Sequence, residues 1–145
     1  MVRHPCVVLS AFVALWLGGC ASAVSMDPPT PDGPRLTRLE AQPRSGVAGC
    51  PLVLVFAFDA GHDEIVQAVA GWSRSLGRRA SAGRAVLEIP RAAFAGHPRG
   101  EAAARVVPSR PGRYAYYVQV EDRAGRKSNV LETVVSVDGW WALGC

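Results

Sequence analysis

Residues 51–59 read Pro-Leu-Val-Leu-Val-Phe-Ala-Phe-Asp, with Leu52, Leu54, Phe56 and Phe58 alternating against Val53, Val55 and Ala57. Successive side chains of an extended chain point to opposite faces, so this run carries apolar groups on both of them. It predicts a central strand buried on both sides, which needs a second apolar layer to cover it. The rest of the sequence keeps the same period of two. Val66, Ala68, Ala70 and Trp72 fall on one face of a second candidate strand, bounded by Gly61-His62-Asp63 and Gly77-Arg78-Arg79. Tyr114, Tyr116, Val118 and Val120 share a face of a third, with Ala115, Tyr117, Gln119 and Glu121 opposite. A polar turn at 122–129 leads into a fourth, 130–137, where Leu131, Thr133, Val135 and Val137 align. Weaker candidates at 36–41, 85–89 and 102–107 bring the count to about seven. Short strands separated by turn signals predict an all-β, antiparallel β-sandwich. The Ala-rich stretch 91–105 has room for one helical turn, since Gly96, Pro98 and Gly100 interrupt it.

The first 19 residues predict a signal peptide. Arg3 supplies a positive end, and the apolar run from Cys6 to Leu17 is too short to span a bilayer as a helix. Leu17-Gly18-Gly19-Cys20 resembles the lipobox of bacterial lipoproteins. The resemblance implies that the Cys20 thiol accepts a diacylglyceryl group as a thioether and that an N-acyl chain follows, a stable two-signal anchor. The alternative is ordinary cleavage near Ala21-Ser22-Ala23, with Cys20 discarded. Ala21, in place of an inner-membrane retention Asp, points to the outer membrane, periplasm-facing or at the cell surface. Residues 20–35, with Pro28, Pro29, Pro31 and Pro34, read as a flexible tether reaching up to about 40 Å.

Charge and motif searches exclude several functions. The 145-residue chain carries 16 Lys+Arg against 12 Asp+Glu, a formal charge of +4. All but Lys127 of the cations are Arg, spread along the chain with Arg78-Arg79 the one adjacent pair. A phosphate-binding face needs clustered cations, so this spacing reads as solvated surface and predicts no nucleic-acid partner. There is no Gly-x-Ser-x-Gly, His-Glu-x-x-His, phosphate loop or dinucleotide fingerprint, and the chain reads as non-enzymatic. The loop 59–64 concentrates carboxylates. Asp59 and Asp63, with Asp122 from a neighbouring turn, are candidate calcium ligands, the alternative being solvated turn acids. Beyond residue 19 the histidines are His62 and His97, in unrelated loops. Tyr117, facing away from the core, and Trp140 and Trp141, past the last strand, are candidate contacts for a protein or sugar. The alternative for the tryptophans is that one folds back over the end of the sandwich.

The run from Gly112 to Gly125 (GRYAYYVQVEDRAG), followed by Ser128-Asn129, resembles the last two strands of bacterial immunoglobulin-like and PKD-like domains. The resemblance implies an immunoglobulin-like sandwich of about seven strands over residues 36–138. Tyr114 falls at its tyrosine corner, where the phenol bonds back to nearby backbone. Trp72 falls where such domains bury a tryptophan. Phe56 and Tyr116 stand where antibody-type domains put their inter-sheet cysteines, so that disulfide is lacking. In this strand order the start of the second strand and the end of the last lie at one pole. Cys50 and Cys145 are thereby expected to pair, tying back the tail 139–145. The alternatives are two free thiols, or Cys145 bonded to another chain. The expected function is a lipid-anchored, exported binding or scaffold module of the bacterial envelope. Its partners are the membrane and an unidentified envelope protein or glycan; no cofactor is expected beyond the covalent lipid on Cys20, calcium being the alternative. A structural lipoprotein anchoring an envelope or secretion assembly, and a carbohydrate-binding module, are the alternatives.

Overall fold

The computed structural model describes residues 24–139 and Cys145. The expected signal peptide 1–19, the lipobox-like Leu17-Gly18-Gly19-Cys20, and Trp140 and Trp141 lie outside the described residues. Eight strands follow in order: β1 (Arg35–Gln42), β2 (Ser45–Val47), β3 (Leu52–Asp59), β4 (Ile65–Leu76), β5 (Arg79–Val86), β6 (Arg99–Val106), β7 (Gly112–Asp122) and β8 (Leu131–Asp138). They form two facing sheets, one ordered β1-β3-β6 and the other β2-β8-β7-β4-β5. This is an all-β, immunoglobulin-like sandwich.

The alternation in β3 explains the core. Leu52, Leu54, Phe56 and Phe58 are buried, while Val53, Val55 and Ala57 are half-buried on the other face. Opposite them, Tyr114, Tyr116, Val118 and Val120 of β7 and Val135 and Val137 of β8 close the second layer. A 3₁₀ turn at Arg91–Ala93 links the sheets, and Phe94 behind it packs edge-on against Phe58, ring centres 5.3 Å apart.

Four details depart from the sequence expectations. The pairing of β4 with β7 shifts register between Ile65 and Gln67, so Ile65 faces the core and Val66 is 53% exposed. One extra residue in a strand turns the side chains before it to the other face. The strand expected at 85–89 begins earlier, at Arg79, and pairs with β4 through a two-residue turn at Gly77-Arg78. β2, with three residues, runs parallel to β8 and is too short to show a period. The fourth concerns the tether. From residue 24 onward it is docked, not free. The Thr30 amide donates to the Lys127 carbonyl at 2.9 Å, and the Lys127 amide donates to Thr30 Oγ1 at 3.0 Å. The buried Gln119 carboxamide donates to the Asp27 carbonyl at 2.8 Å, and Val24 and Met26 lie over Gly71. Proline removes donors but leaves carbonyls, and those of this strap satisfy groups on the sheet's outer face.

Strand direction sorts the loops into two poles. At one, the end of β4 and start of β5 lie beside the start of β7 and the end of β8. The Ala48 amide donates to the Asp138 carbonyl there, and the Gly49 amide to that of Pro108. The other pole holds the 59–64 loop and the 122–129 turn, joined by the bond from the Arg123 amide to the Glu64 carbonyl.

Candidate functional site

A cleft of about 360 Å³ opens at the side of the sandwich between β5 and β6, one edge strand of each sheet, neither paired further among the described residues. Three aromatic side chains form its inner wall. Trp72 from β4 and Tyr114 from β7 have ring centres 6.1 Å apart, and Tyr114 stacks on Tyr116 at 5.7 Å. Each is held by its neighbours. Trp72 lies across Gly83 of β5, its cross-strand partner, where an added Cβ would stand 2.6 Å from the indole. Glycine is the residue that lets the ring lie flat there. The Tyr114 hydroxyl donates to the Arg110 carbonyl at 2.9 Å, the corner bond that the resemblance implies. Burial, and then the neighbouring Tyr114, pushes the Tyr116 phenol above its ordinary range, so it is a neutral hydroxyl at any physiological pH. At the rim, Val86 is 61% and Val107 52% exposed. Exposed Glu88, Arg105 and Ser109 share the rim, so the aromatic wall suits a flat group with an apolar face and a polar edge. Of these residues the sequence singled out the aromatics only as core; Val86 and Val107 lie in weakly patterned segments that give no signal.

The acidic pole holds the three candidate metal ligands. Asp63 and Asp122 converge, but on the Arg126 guanidinium. Arg126 Nε donates to Asp122 at 2.7 Å, and the Arg126 amide donates to its other oxygen at 2.8 Å. Arg126 also pairs with Asp63. Asp59 accepts from the Gly61 amide at 3.0 Å and from Arg99 at 2.7 Å, and Glu64 pairs with Arg123. The carboxylates are thus matched to arginines. Among the described residues, no group of three or more His, Cys, Asp or Glu could hold a metal ion. Burial opposes ionisation of Asp122, yet the bonds from Arg126 outweigh it and its pKa is lowered. The Gly61 amide, followed by Arg99, lowers that of Asp59. His62 and His97, expected in unrelated loops, line one shallow depression of about 190 Å³ at this pole. The 3₁₀ turn and Phe94, which bring the 94–98 segment back over the sheet, account for that meeting.

At the opposite pole Cys50 and Cys145 form a disulfide, with Cα atoms 5.3 Å apart. Tyr117 faces outward from β7, half-buried, and pairs with Gly71, the residue beneath the strap. Trp140 and Trp141 lie outside the described residues.

No family model matches the chain, and no curated protein matches it. Solved structures resemble it at low identity. A PKD domain of an M14-like peptidase from a Thermoplasmatales archaeon aligns at 14% identity over 79% of this chain and 99% of that one, TM-score 0.40. A CARDB domain from Pyrococcus furiosus aligns at 11% identity over 75% of this chain and 97% of that one, TM-score 0.39. An alkylpurine DNA glycosylase from Pseudomonas fluorescens aligns at 14% identity over 71% of this chain, TM-score 0.47, and the chain covers 30% of its length. These likenesses concern the fold and carry nothing about ligand or activity to this chain.

Proposed function

We propose that the chain is a lipid-anchored, exported binding or scaffold module of the bacterial cell envelope, working without catalysis. Its anchor is Cys20 of the Leu17-Gly18-Gly19-Cys20 lipobox, and its contact surface is the cleft between β5 and β6. The observation that carries the binding reading is the cleft's composition: a wall of Trp72, Tyr114 and Tyr116 behind exposed Val86 and Val107. Exposed apolar side chains on two adjacent open edges favour docking of a partner's apolar group or strand. The acidic pole favours a structural role, since its carboxylates are matched by arginines of the same chain.

Two measurements test the two halves of this reading. Mass spectrometry of the N-terminal peptide from the bacterially exported chain should show a diacylglyceryl-modified Cys20; an unmodified or missing Cys20 refutes the anchor. A photo-crosslinking residue at Val86 or Val107 should capture one discrete envelope component, while the same residue at exposed Val134, on β8, should not. Equal capture at all three positions refutes the cleft as the contact surface.

A further inference from the structure

The arginines that looked scattered in sequence are not scattered in space. Arg78 lies in the β4–β5 turn and Arg79 opens β5. Arg113 pairs with Ser75 at the end of β4, Arg74 with Ser81, and Arg110 sits in the loop before β7. All five gather at the disulfide pole. Four are exposed; Arg74 is half-buried and donates to Ser81 Oγ and the Pro111 carbonyl. Among the described residues none of the five forms an ion pair, and the acidic side chain closest to them in the strand register is Asp138, beside the start of β7. The other pole is arranged the opposite way, with Arg99, Arg123, Arg126 and Lys127 each on a carboxylate.

The docked strap adds a second, independent observation. It starts at the acidic pole, where Thr30 meets Lys127, passes Asp27 on Arg84 and Gln119, and reaches Gly71 at Val24. It therefore points toward the disulfide pole. Residues 20–23 span at most about 14 Å, the length of about four strand residues. That covers most of the distance from Gly71 to the end of β4 at Leu76. A lipid on Cys20 would then stand within that reach of Val24, and a chain continuing in the strap's direction would bring it toward the pole that carries these arginines.

We propose that the disulfide pole is a docking face for an anionic lipid surface, with Arg74, Arg78, Arg79, Arg110 and Arg113 set against headgroup phosphates beside the anchor. The placement of the anchor rests on the reading of Cys20 given above; the charge of the face does not. Each basic residue brought close to an anionic surface strengthens binding about fivefold, and salt screens the effect.

The test uses the chain from residue 20 onward with Cys20→Ser, which cannot be acylated and holds every described residue. Co-sedimentation is measured with vesicles of phosphatidylcholine alone and with about one third phosphatidylglycerol. Binding should require the anionic lipid and fall with added salt. The triple variant Arg78→Glu/Arg79→Glu/Arg113→Glu should lose more than tenfold, while Arg35→Glu/Arg91→Glu, exposed residues elsewhere, should change it less than threefold. Unchanged thermal unfolding of both variants confirms that the fold is kept. Equal binding to both vesicle types, no loss in the triple variant, or an equal loss in the control overturns the proposal. Tighter binding to a DNA duplex than to the anionic vesicles, at the same salt, also overturns it, in favour of a nucleic-acid face. An unmodified Cys20 in the exported chain refutes the anchor alone and leaves the vesicle result standing.

Discussion

A methyl group added at residue 83 sets two opposing effects against each other. Replacing a strand glycine with alanine ordinarily stabilises by about 0.5–1 kcal/mol, because the unfolded chain loses freedom. At Gly83 the new Cβ would stand 2.6 Å from Cζ2, 2.7 Å from Cε2 and 2.9 Å from Nε1 of Trp72. The indole has little freedom to yield, since Tyr114 packs against it and is itself bonded to the Arg110 carbonyl. Either β5 shifts or the ring leaves the cleft wall. Overpacking of this kind costs about 1–3 kcal/mol, so the net expectation for Gly83→Ala is a loss of about 1–2 kcal/mol. Urea unfolding of four chains isolates the cause: the parent, Gly83→Ala, Trp72→Ala, and both together. With the ring gone, Gly83→Ala should be neutral or stabilising, giving a coupling of about 1.5 kcal/mol or more between the two sites. If Gly83→Ala stabilises the parent as much as it stabilises the Trp72→Ala chain, the ring does not lie on Gly83 and the account of the cleft wall is wrong.

Four further outcomes follow from the geometry. Tyr114→Phe removes the corner bond to Arg110 and should cost about 1 kcal/mol in denaturant unfolding, with little change in the m-value. Cys50→Ala/Cys145→Ala opens a bridge spanning 95 residues and should lower stability by up to about 4.7 kcal/mol, matched by adding reductant to the parent. Asp59 and Asp122 have folded pKa values below the ordinary 3.8, so their contribution is complete above about that pH and is lost as pH falls through the lowered values. An acid titration of stability should therefore be flat down to about pH 4 and steepen below it, more shallowly in Asp122→Asn; a transition centred above pH 5 contradicts this. Gly71→Val puts a Cβ 2.3 Å from the Val24 side chain and should release residues 24–27, read as faster proteolytic cleavage within the strap while the domain itself stays resistant.

The predicted strands that proved sound are those whose pattern came from burial on a flat sheet. β3, β7 and β8 each have one face against the core, and a one-residue slip would expose it, so hydrophobic order and register agree. The second buried face expected for β3 is only half-buried, since no third layer covers Val53, Val55 and Ala57 among the described residues. β4 misled at its start because a register shift leaves no mark in composition, and Val66 and Ile65 are both good strand residues. β5 was misplaced because much of its length carries small or charged side chains, its role being to pair with β4 and lie under Trp72. The cleft was hidden for a related reason. Trp72 and Tyr114 were legible as buried aromatics, but the opening beside them exists because β5 and β6 end their sheets without pairing, a property of two strands together.

The sequence by itself determined the sandwich and the corner tyrosine, since each is written in a period of two or a short contiguous motif. The resemblance to immunoglobulin-like domains implied a Cys50–Cys145 pair, and the strand order brings the two to one pole. Only the tertiary structure decided what the charges do. Fifteen arginines spread along 145 residues read as solvated surface. Folding matches those at one pole with carboxylates and gathers another five, without an ion pair among the described residues, at the opposite pole, beyond the point where the docked strap reaches Gly71. Electrostatic energy depends on distance in space, and strands that reverse direction every eight to twelve residues make distance along the chain a poor guide to it.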